Sequence, residues 1–287
     1  MDIVKETKLI GNYLIGLRKD FHKYPELSMQ EHRTSRKIKE ELDKINVKYE
    51  EGIRTEVVAT IGHGEGKVIA LRADMDALRI KENTGVRYQS ENEGVMHACG
   101  HDAHMSIMLA LAQILINNQD KIKGTVKLLF QPDEEGDAGA SKMVANGALE
   151  NPKVDKAFAI HVWSELKEDT IGIKVGTVMA SSDPYDITVY GKGGHAAMPE
   201  RCIDTIYIAN KIGIALKEMA KIDVPIDEKA IIGATAINGG KTNNVIPDVV
   251  HMKGICRTNN NKVRKESKEK LVKTVENIAK EMGGRAE

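Results

Sequence analysis

The densest group of metal-binding residue types in this 287-residue sequence is the segment His97-Ala98-Cys99-Gly100-His101-Asp102-Ala103-His104. Thiolate and imidazole groups are good ligands for zinc and similar first-row metals. In an extended segment the side chains of His97, Cys99 and His101 would point the same way, and Gly100 would let the backbone turn sharply between two ligands. A buried free cysteine explains Cys99 alone more simply, but three histidines and a cysteine within eight residues favour a metal site.

Two pairs of acidic residues follow predicted strands and could serve the same site. Asp74 and Asp76 would lie on one side of an extended chain. Near a metal, one of them could orient a ligand histidine, although a turn or an ion pair with Arg72 is the alternative. Glu134 and Glu135 follow a short apolar strand and a proline. One could bind a metal while the other acts as a general base on water, whereas such pairs usually lie in a solvated loop.

Four further polar residues are candidates with less local support. His161 follows a strand predicted at Lys156–Ile160, which we expect to be short and buried, and a lone histidine is more often a core residue than a ligand. His195 lies on a flexible glycine loop, for which a simple hairpin turn is an equal alternative. Asn244 lies on a polar loop typical of turns. Arg257 could bind a substrate carboxylate through two hydrogen bonds or form an ordinary surface ion pair.

The predicted elements would bring these segments together. Strands that alternate with helices predict an α/β sheet with helices on both faces, and open sheets of this kind carry their sites beyond the carboxyl ends of the strands. Apolar spacing predicts a largely buried helix over Ala103–Ile116, with Asp102 as its cap. From about Ser181 the order β-α-β-β-α predicts a smaller α+β layer. We therefore expect domains at residues 1–180 and 181–287.

Composition disfavours several classes of function. Lys+Arg and Asp+Glu both number 42, so the formal net charge is zero and no broad field favours nucleic acid or an anionic membrane. Aromatic residues make up only 4%, which disfavours a base-stacking surface. The charged N-terminal segment lacks the apolar core of a signal peptide, and no apolar run is long enough to span a bilayer. Three widely spaced cysteines do not suggest a disulfide framework, so we expect a soluble cytoplasmic protein.

Taken together, the motifs resemble those of the aminoacylase/carboxypeptidase metallohydrolase family. The resemblance covers the whole chain, and the run His-Ala-Cys-Gly-His is particular to the branch of hippurate hydrolases, bacterial N-acyl-amino-acid amidohydrolases and plant auxin-conjugate hydrolases. It implies metal-dependent hydrolysis of the amide bond of N-acyl amino acids, by a metallopeptidase-like catalytic domain with an inserted dimerisation or lid domain. The motifs that carry it are His22–Leu27, Arg72–Leu78, His97–His104, Gln131–Gly136, His161–Trp163, Gly193–His195 and Asn244–Pro247.

The resemblance implies a site for two divalent metal ions. Cys99 would bridge the two ions, with His101 and Glu135 on one side and His161 on the other. Cysteine and histidine ligands permit zinc, manganese, cobalt or nickel. The partner molecule would be a small N-acyl amino acid, with no nucleic acid and no membrane involved.

The resemblance also implies the roles of residues that do not bind metal. Glu134 would be the general base, and Asp76 would orient a metal ligand. His195 would reach the active site of a partner subunit in a homodimer formed through the smaller domain, and would stabilise the oxyanion there. Asn244 and Arg257 would contact the free carboxylate of the substrate.

Members of this family continue further along the chain, so the resemblance implies C-terminal truncation. The smaller domain would then lack its last strand, and the second metal would lack one ligand histidine. Two alternatives to an active amidohydrolase stay open. One is a non-catalytic remnant that binds metal or dimerises, and the other is a cysteine hydrolase in which Cys99 acts with a histidine base.

Overall fold

The chain folds as two compact units, Met1–Glu168 and Asp169–Glu287. The structure is a computed structural model, and it describes residues 2–52, 54–62, 66–136, 138–221 and 223–287. The sequence placed the division near residue 180. The catalytic role of the first domain and the dimerisation or lid role of the second stay predictions.

The first unit is a five-stranded mixed sheet with helices on both faces. The strand order is β1-β2-β4-β3-β5; β1–β2 and β2–β4 are antiparallel pairs, whereas β3 is parallel to both β4 and β5. Its elements are α1 (Ile3–Lys23), α2 (His32–Lys44), β1 (Lys48–Glu51), β2 (Val57–Ile61), β3 (Val68–Asp74), α3 (His101–Asn117), β4 (Thr125–Gln131), α4 (Gly139–Ala145) and β5 (Lys156–Ala159).

Two apolar clusters hold this sheet between its helices. The larger joins α1, α2 and α3 to the sheet and includes the fully buried Phe21 and Phe130. The smaller lies between the sheet and α4, where Leu129 packs with Met143. Burying a side chain of this size contributes about 1.5–3 kcal/mol. The α/β prediction with helices on both faces is therefore confirmed.

The three parallel strands end at one edge of the sheet. In the pairing register Arg72 of β3 lies opposite both Leu129 of β4 and Ala159 of β5. The segments that follow these strands therefore emerge side by side, as expected for a site at the carboxyl ends of parallel strands.

The second unit is an antiparallel four-stranded sheet, of order β11-β6-β10-β8, with two helices packed on it. The α+β prediction is confirmed. A short strand, Arg285–Ala286, forms near the end of the chain, where the resemblance implied that the last strand of this domain is lacking. The strands β7 and β9 form a separate two-stranded antiparallel ribbon. The elements are β6 (Asp183–Tyr190), β7 (Gly194–His195), α5 (Thr205–Met219), β8 (Ala230–Gly239), β9 (Val245–Ile246), β10 (Val249–Thr258), α6 (Asn261–Glu281) and β11 (Arg285–Ala286).

Local expectations differ from the structure in two places. β5 was expected to be buried, but all four of its residues are exposed, because β5 is an edge strand and no described element covers it. Asp102 was expected to cap α3, but the cap is Gly100 and Asp102 lies inside the helix. Among the described residues, no helix combines the length and apolarity needed to cross a membrane.

Candidate metal centre

Side chains from three separate segments meet beyond the carboxyl ends of the parallel strands. Ligand-type atoms of Cys99, His101 and His161 lie within 4.8 Å of one another, and those of His101, Glu134 and Glu135 form a second such set. His101 belongs to both sets, so the two groups are contiguous. All four residues expected to bind metal are thus brought together, along with the expected base.

Two imidazoles in this group are oriented by backbone carbonyls. Nδ1 of His101 is 2.8 Å from the carbonyl oxygen of Asp76, and Nδ1 of His161 is 2.6 Å from that of Val162. A carbonyl oxygen only accepts, so each Nδ1 carries a proton, and in the neutral ring Nε2 presents a lone pair. Nε2 of His101 is buried without a hydrogen-bond partner among the described residues. Metal-binding histidines typically donate a hydrogen bond from one ring nitrogen and bind the metal through the other.

Asp76 connects His101 to the loop that carries the glutamates. One carboxylate oxygen accepts from the hydroxyl of Ser28 at 2.7 Å and from the backbone N–H of Glu135 at 2.9 Å, and the other lies 3.4 Å from Nδ1 of His101. Burial opposes ionisation of Asp76, but hydrogen bonds from these groups lower its pKa to about 2. The ionised Asp76 therefore fixes the glutamate loop beside His101.

The two glutamates differ in their access to solvent. Glu134 is 39% exposed at its side chain and Glu135 is 25% exposed, and each has a carboxylate oxygen within 4.0 Å of Nε2 of His101. Burial, together with the negative charge of Glu135, raises the pKa of Glu134. A carboxylate with a raised pKa accepts a proton more readily at neutral pH, which suits a general base.

The surroundings of Cys99 favour a cation over a free nucleophile. Its Sγ lies 3.5 Å from Nε2 of His161. Burial, a hydrogen bond with Glu135 and the charges of nearby carboxylates raise the pKa of the Cys99 thiol to about 12. Nucleophilic cysteines need a lowered pKa, so this setting disfavours a cysteine hydrolase. A cluster of thiol, imidazole and carboxylate groups fits divalent cations such as zinc.

The expectation that His97, Cys99 and His101 share one side of an extended segment is wrong. Cys99 lies in a turn, Gly100 adopts a left-handed conformation with φ of 87°, and α3 begins at His101. His97 is buried, and neither of its ring nitrogens has a hydrogen-bond partner among the described residues. It belongs to none of the candidate metal groups.

Asp102 has an anchoring contact that the sequence did not reveal. Its carboxylate is 2.8 Å from Nδ1 of His22 on α1 and accepts a longer hydrogen bond of 3.3 Å from Arg18. The hydrogen bond to Asp102 raises the pKa of His22, against an opposing effect of burial. This buried pair ties the first turn of α3, which carries His101, to α1.

Asp74 and His104 are buried polar residues whose pairing sequence reasoning missed. Nδ1 of His104 is 2.6 Å from one oxygen of Asp74, and Arg72 donates to the other at 2.7 Å. Asp74, His101 and His104 also form a group with ligand-type atoms within 4.8 Å. The available signal was helical spacing, since His101 and His104 are three residues apart and share one face of α3.

The second unit places two of its three candidates together. His195 of β7 pairs with Val245 of β9, and Asn244 directly precedes that strand. The backbone N–H of Ala197 donates to Nδ1 of His195 at 3.1 Å, so the neutral ring carries its proton on the exposed Nε2. Arg257 lies on β10 and is exposed, in register with Ile231.

The profile of the family described as Peptidase family M20/M25/M40 matches residues 70–287 of the chain. The chain is 41% identical over 268 residues to the N-acetyl-L-cysteine deacetylase of Bacillus subtilis, covering 93% of this chain and 64% of that protein. It therefore spans just under two thirds of the length of this relative.

Two further proteins resemble the chain closely. Thermostable carboxypeptidase 1 of Saccharolobus solfataricus is 39% identical over 287 residues, covering 97% of this chain and 72% of the carboxypeptidase. The crystal structure of the Bacillus subtilis YXEP protein, described as a dinuclear metal binding peptidase from the M20 family, superposes with a TM-score of 0.81 at 36% identity. That superposition covers 98% of this chain and 73% of the YXEP chain.

Proposed function

This chain belongs to the peptidase family M20/M25/M40, and on that premise we propose that it hydrolyses the amide bond of N-acyl amino acids with two divalent metal ions. The main observation behind this proposal is that Cys99 and His161 form one group with His101, and Glu135 forms a second group with the same histidine. The buried Nε2 of His101 lacks a hydrogen-bond partner among the described residues. The YXEP protein, described as dinuclear, supports the number of ions.

The proposal assigns a role to each of the four candidate metal ligands. Cys99 would contribute to holding both ions, His101 and Glu135 would hold one of them, and His161 would hold the other. Asp76 holds both His101 and the backbone of Glu135. We propose zinc, manganese, cobalt or nickel as the ions, since thiolate and imidazole ligands suit all four.

In this proposal Glu134 is the residue that transfers the proton. Bound divalent ions would lower the pKa of a water molecule and polarise the amide carbonyl. Glu134 accepts one proton from the attacking water and donates it to the leaving nitrogen as the C–N bond breaks. The partial exposure of Glu134 and its raised pKa support this assignment.

The smaller unit would supply substrate contacts. The exposed Nε2–H of His195 can donate to a developing oxyanion, a contribution typically worth a few kcal/mol per donor. Asn244 directly precedes β9, the strand that pairs with His195, and together with Arg257 it would bind the free carboxylate of the substrate. We propose that the chain forms a homodimer through this unit, that His195 serves the site of the partner subunit, and that the protein works in the cytoplasm.

The names of the relatives support the substrate class. One is a deacetylase of N-acetyl-L-cysteine and the other a carboxypeptidase. Hydrolysis of an amide bond on the nitrogen of an amino acid with a free carboxylate is common to both activities. An N-acyl amino acid is therefore the substrate class that we propose for this chain.

The proposal is tested by assaying release of free amino acid from a panel of N-acetyl-L-amino acids. Activity should disappear after dialysis against a chelator and return on addition of zinc, manganese, cobalt or nickel. Treatment with a thiol-alkylating reagent serves as the comparison. Hydrolysis that survives the chelator but is lost on alkylation of Cys99 would overturn the proposal in favour of a cysteine hydrolase.

A further inference from the structure

His161 lies on a segment of the first unit that is exposed to solvent. It follows β5, the exposed edge strand, and the residues from Ile160 to Trp163 are all exposed. A metal ligand must be held near its productive geometry by surrounding contacts. The contacts that fix this segment therefore matter for any metal bound by His161.

One contact comes from a buried histidine on α3. The backbone N–H of Val162 donates to Nε2 of His104 at 2.9 Å. A backbone N–H can only donate, so Nε2 of His104 is unprotonated and Nδ1 carries the hydrogen. Nδ1 then donates to Asp74 at 2.6 Å, and Arg72 holds the other oxygen of that carboxylate.

Packing supports the same arrangement. The rings of His104 and His161 are 4.7 Å apart between centroids and inclined by 68°. Val162 lies against Gly100, where an added Cβ would come within 2.3 Å of a methyl group of Val162. The residue after His161 is thus held by a hydrogen bond on one side and by a close fit to the turn before α3 on another.

We propose that His104 is a positioning residue that holds the backbone of Val162, and through it the ring of His161, in place beside Cys99. This inference rests on the proposed function, in which His161 binds one of the two ions. Asp74 acts on the same segment by fixing the tautomer of His104. Residues that orient a metal ligand in this way typically change metal affinity by about 10–100-fold when they are replaced.

Two substitutions at His104 separate its two hydrogen bonds. In His104→Gln the amide oxygen can reach the position of Nε2 and accept from Val162, whereas in His104→Asn the amide nitrogen takes the place of Nδ1 and the acceptor is lost. The first readout is hydrogen exchange of the Val162 amide in the metal-free protein. The second is zinc affinity and stoichiometry, measured by calorimetry. His32→Asn, at an exposed position on α2, is the control.

The expected result is faster exchange at Val162 and about tenfold or greater loss of affinity for one of two zinc ions in His104→Asn. His104→Gln should stay close to the wild type, a rescue that a general loss of folding would not produce. Unchanged Val162 exchange and zinc binding in His104→Asn, or equal defects in both variants, would overturn the inference. If the wild type binds no zinc, the proposed function fails, while the exchange data still decide whether His104 holds Val162.

Discussion

Cys99, His101 and His161 each present a ligand atom because of a local contact made by a neighbour. A left-handed glycine turns the chain between Cys99 and His101, and backbone carbonyl oxygens accept hydrogen bonds from Nδ1–H of both histidines. Glu135 is positioned through its own backbone N–H by Asp76. The residue types were evident in the sequence, but these orienting contacts join positions up to 59 residues apart.

Replacing Cys99, the residue that we propose both ions share, should affect the binding of both. In Cys99→Ser the hydroxyl stays protonated at neutral pH and is a poor substitute for a thiolate, so we expect metal content well below that of the wild type. The measurement is elemental analysis after dialysis against metal-free buffer. Cys202→Ser, which alters a cysteine of the second unit, is the matched control. Equal metal content in Cys99→Ser and wild type would show that Cys99 is not a ligand.

Replacing the proposed base should separate catalysis from binding. Glu134→Gln keeps the size of the side chain but cannot accept a proton, so kcat should fall by about 10²–10⁴-fold while metal content is retained. Glu135→Gln should instead lower metal content as well as activity. The two variants are compared by steady-state kinetics and elemental analysis. Full activity of Glu134→Gln would rule out the assigned base.

At the scale of elements, periodic apolar spacing predicted the helix α3 well, but the expectation that the short strand β5 is buried was wrong. The helix predicted over Ala103–Ile116 forms as α3, at His101–Asn117. β5 has an apolar composition typical of a buried strand, yet it is exposed. Spacing reports which residues could share a face, but only the arrangement of neighbouring strands decides whether that face is covered.

The site was predictable in its residue types and less so in its geometry. The cluster around Cys99 and His101 is visible in the sequence, whereas the roles of Glu135 and His161 as metal ligands followed from the family resemblance. The burial of His97 could not be anticipated, because the segment is not extended: Cys99 lies in a turn and Gly100 is left-handed. Pairings such as Asp102 with His22 join different elements and leave no periodic pattern.

Glu41 on α2 should make stability depend on acid pH. Burial opposes its ionisation, but hydrogen bonds from Lys37, Lys44 and Tyr13 hold the pKa of Glu41 below the ordinary value of 4.5. A lowered folded-state pKa contributes stability above pH 4.5 that is lost as the pH falls through the folded-state pKa. Glu41→Gln should therefore cost about 1–3 kcal/mol at pH 7, and less in acid.

The measurement is urea unfolding of wild type and Glu41→Gln at neutral pH and at several values below 4.5. Glu40→Gln, at the adjacent exposed position of α2, controls for loss of a surface charge. A difference between wild type and Glu41→Gln that stays constant with pH would contradict the role given to the ionised carboxylate.

At the scale of the whole molecule, the second unit offers a surface for the proposed homodimer. β8 is an edge strand of its sheet and carries the exposed Ile231 and Ile237. On α5, which packs on β8, Tyr207 and Ile214 are also exposed. Exposed apolar side chains along one sheet edge and its neighbouring helix are typical of an interface between copies of a chain.

A charge placed on this surface should favour the monomer. Ile214→Asp would put an unpaired carboxylate into an apolar interface, so analytical ultracentrifugation should show the mass of two chains for wild type and of one chain for the variant. Val272→Asp changes an exposed apolar residue of α6 in the same unit and should remain dimeric. A wild-type protein that sediments as one chain at all concentrations would contradict the dimer.

Whether Cys99, His101, Glu135 and His161 together hold two ions is tested most directly by crystals grown with zinc. Anomalous difference maps at the zinc absorption edge should show two peaks, both in contact with Sγ of Cys99. One should also contact His101 and Glu135, and the other His161. Maps with no peak among these side chains, or with zinc bound only elsewhere on the protein, would contradict the metal centre on which the proposed hydrolysis depends.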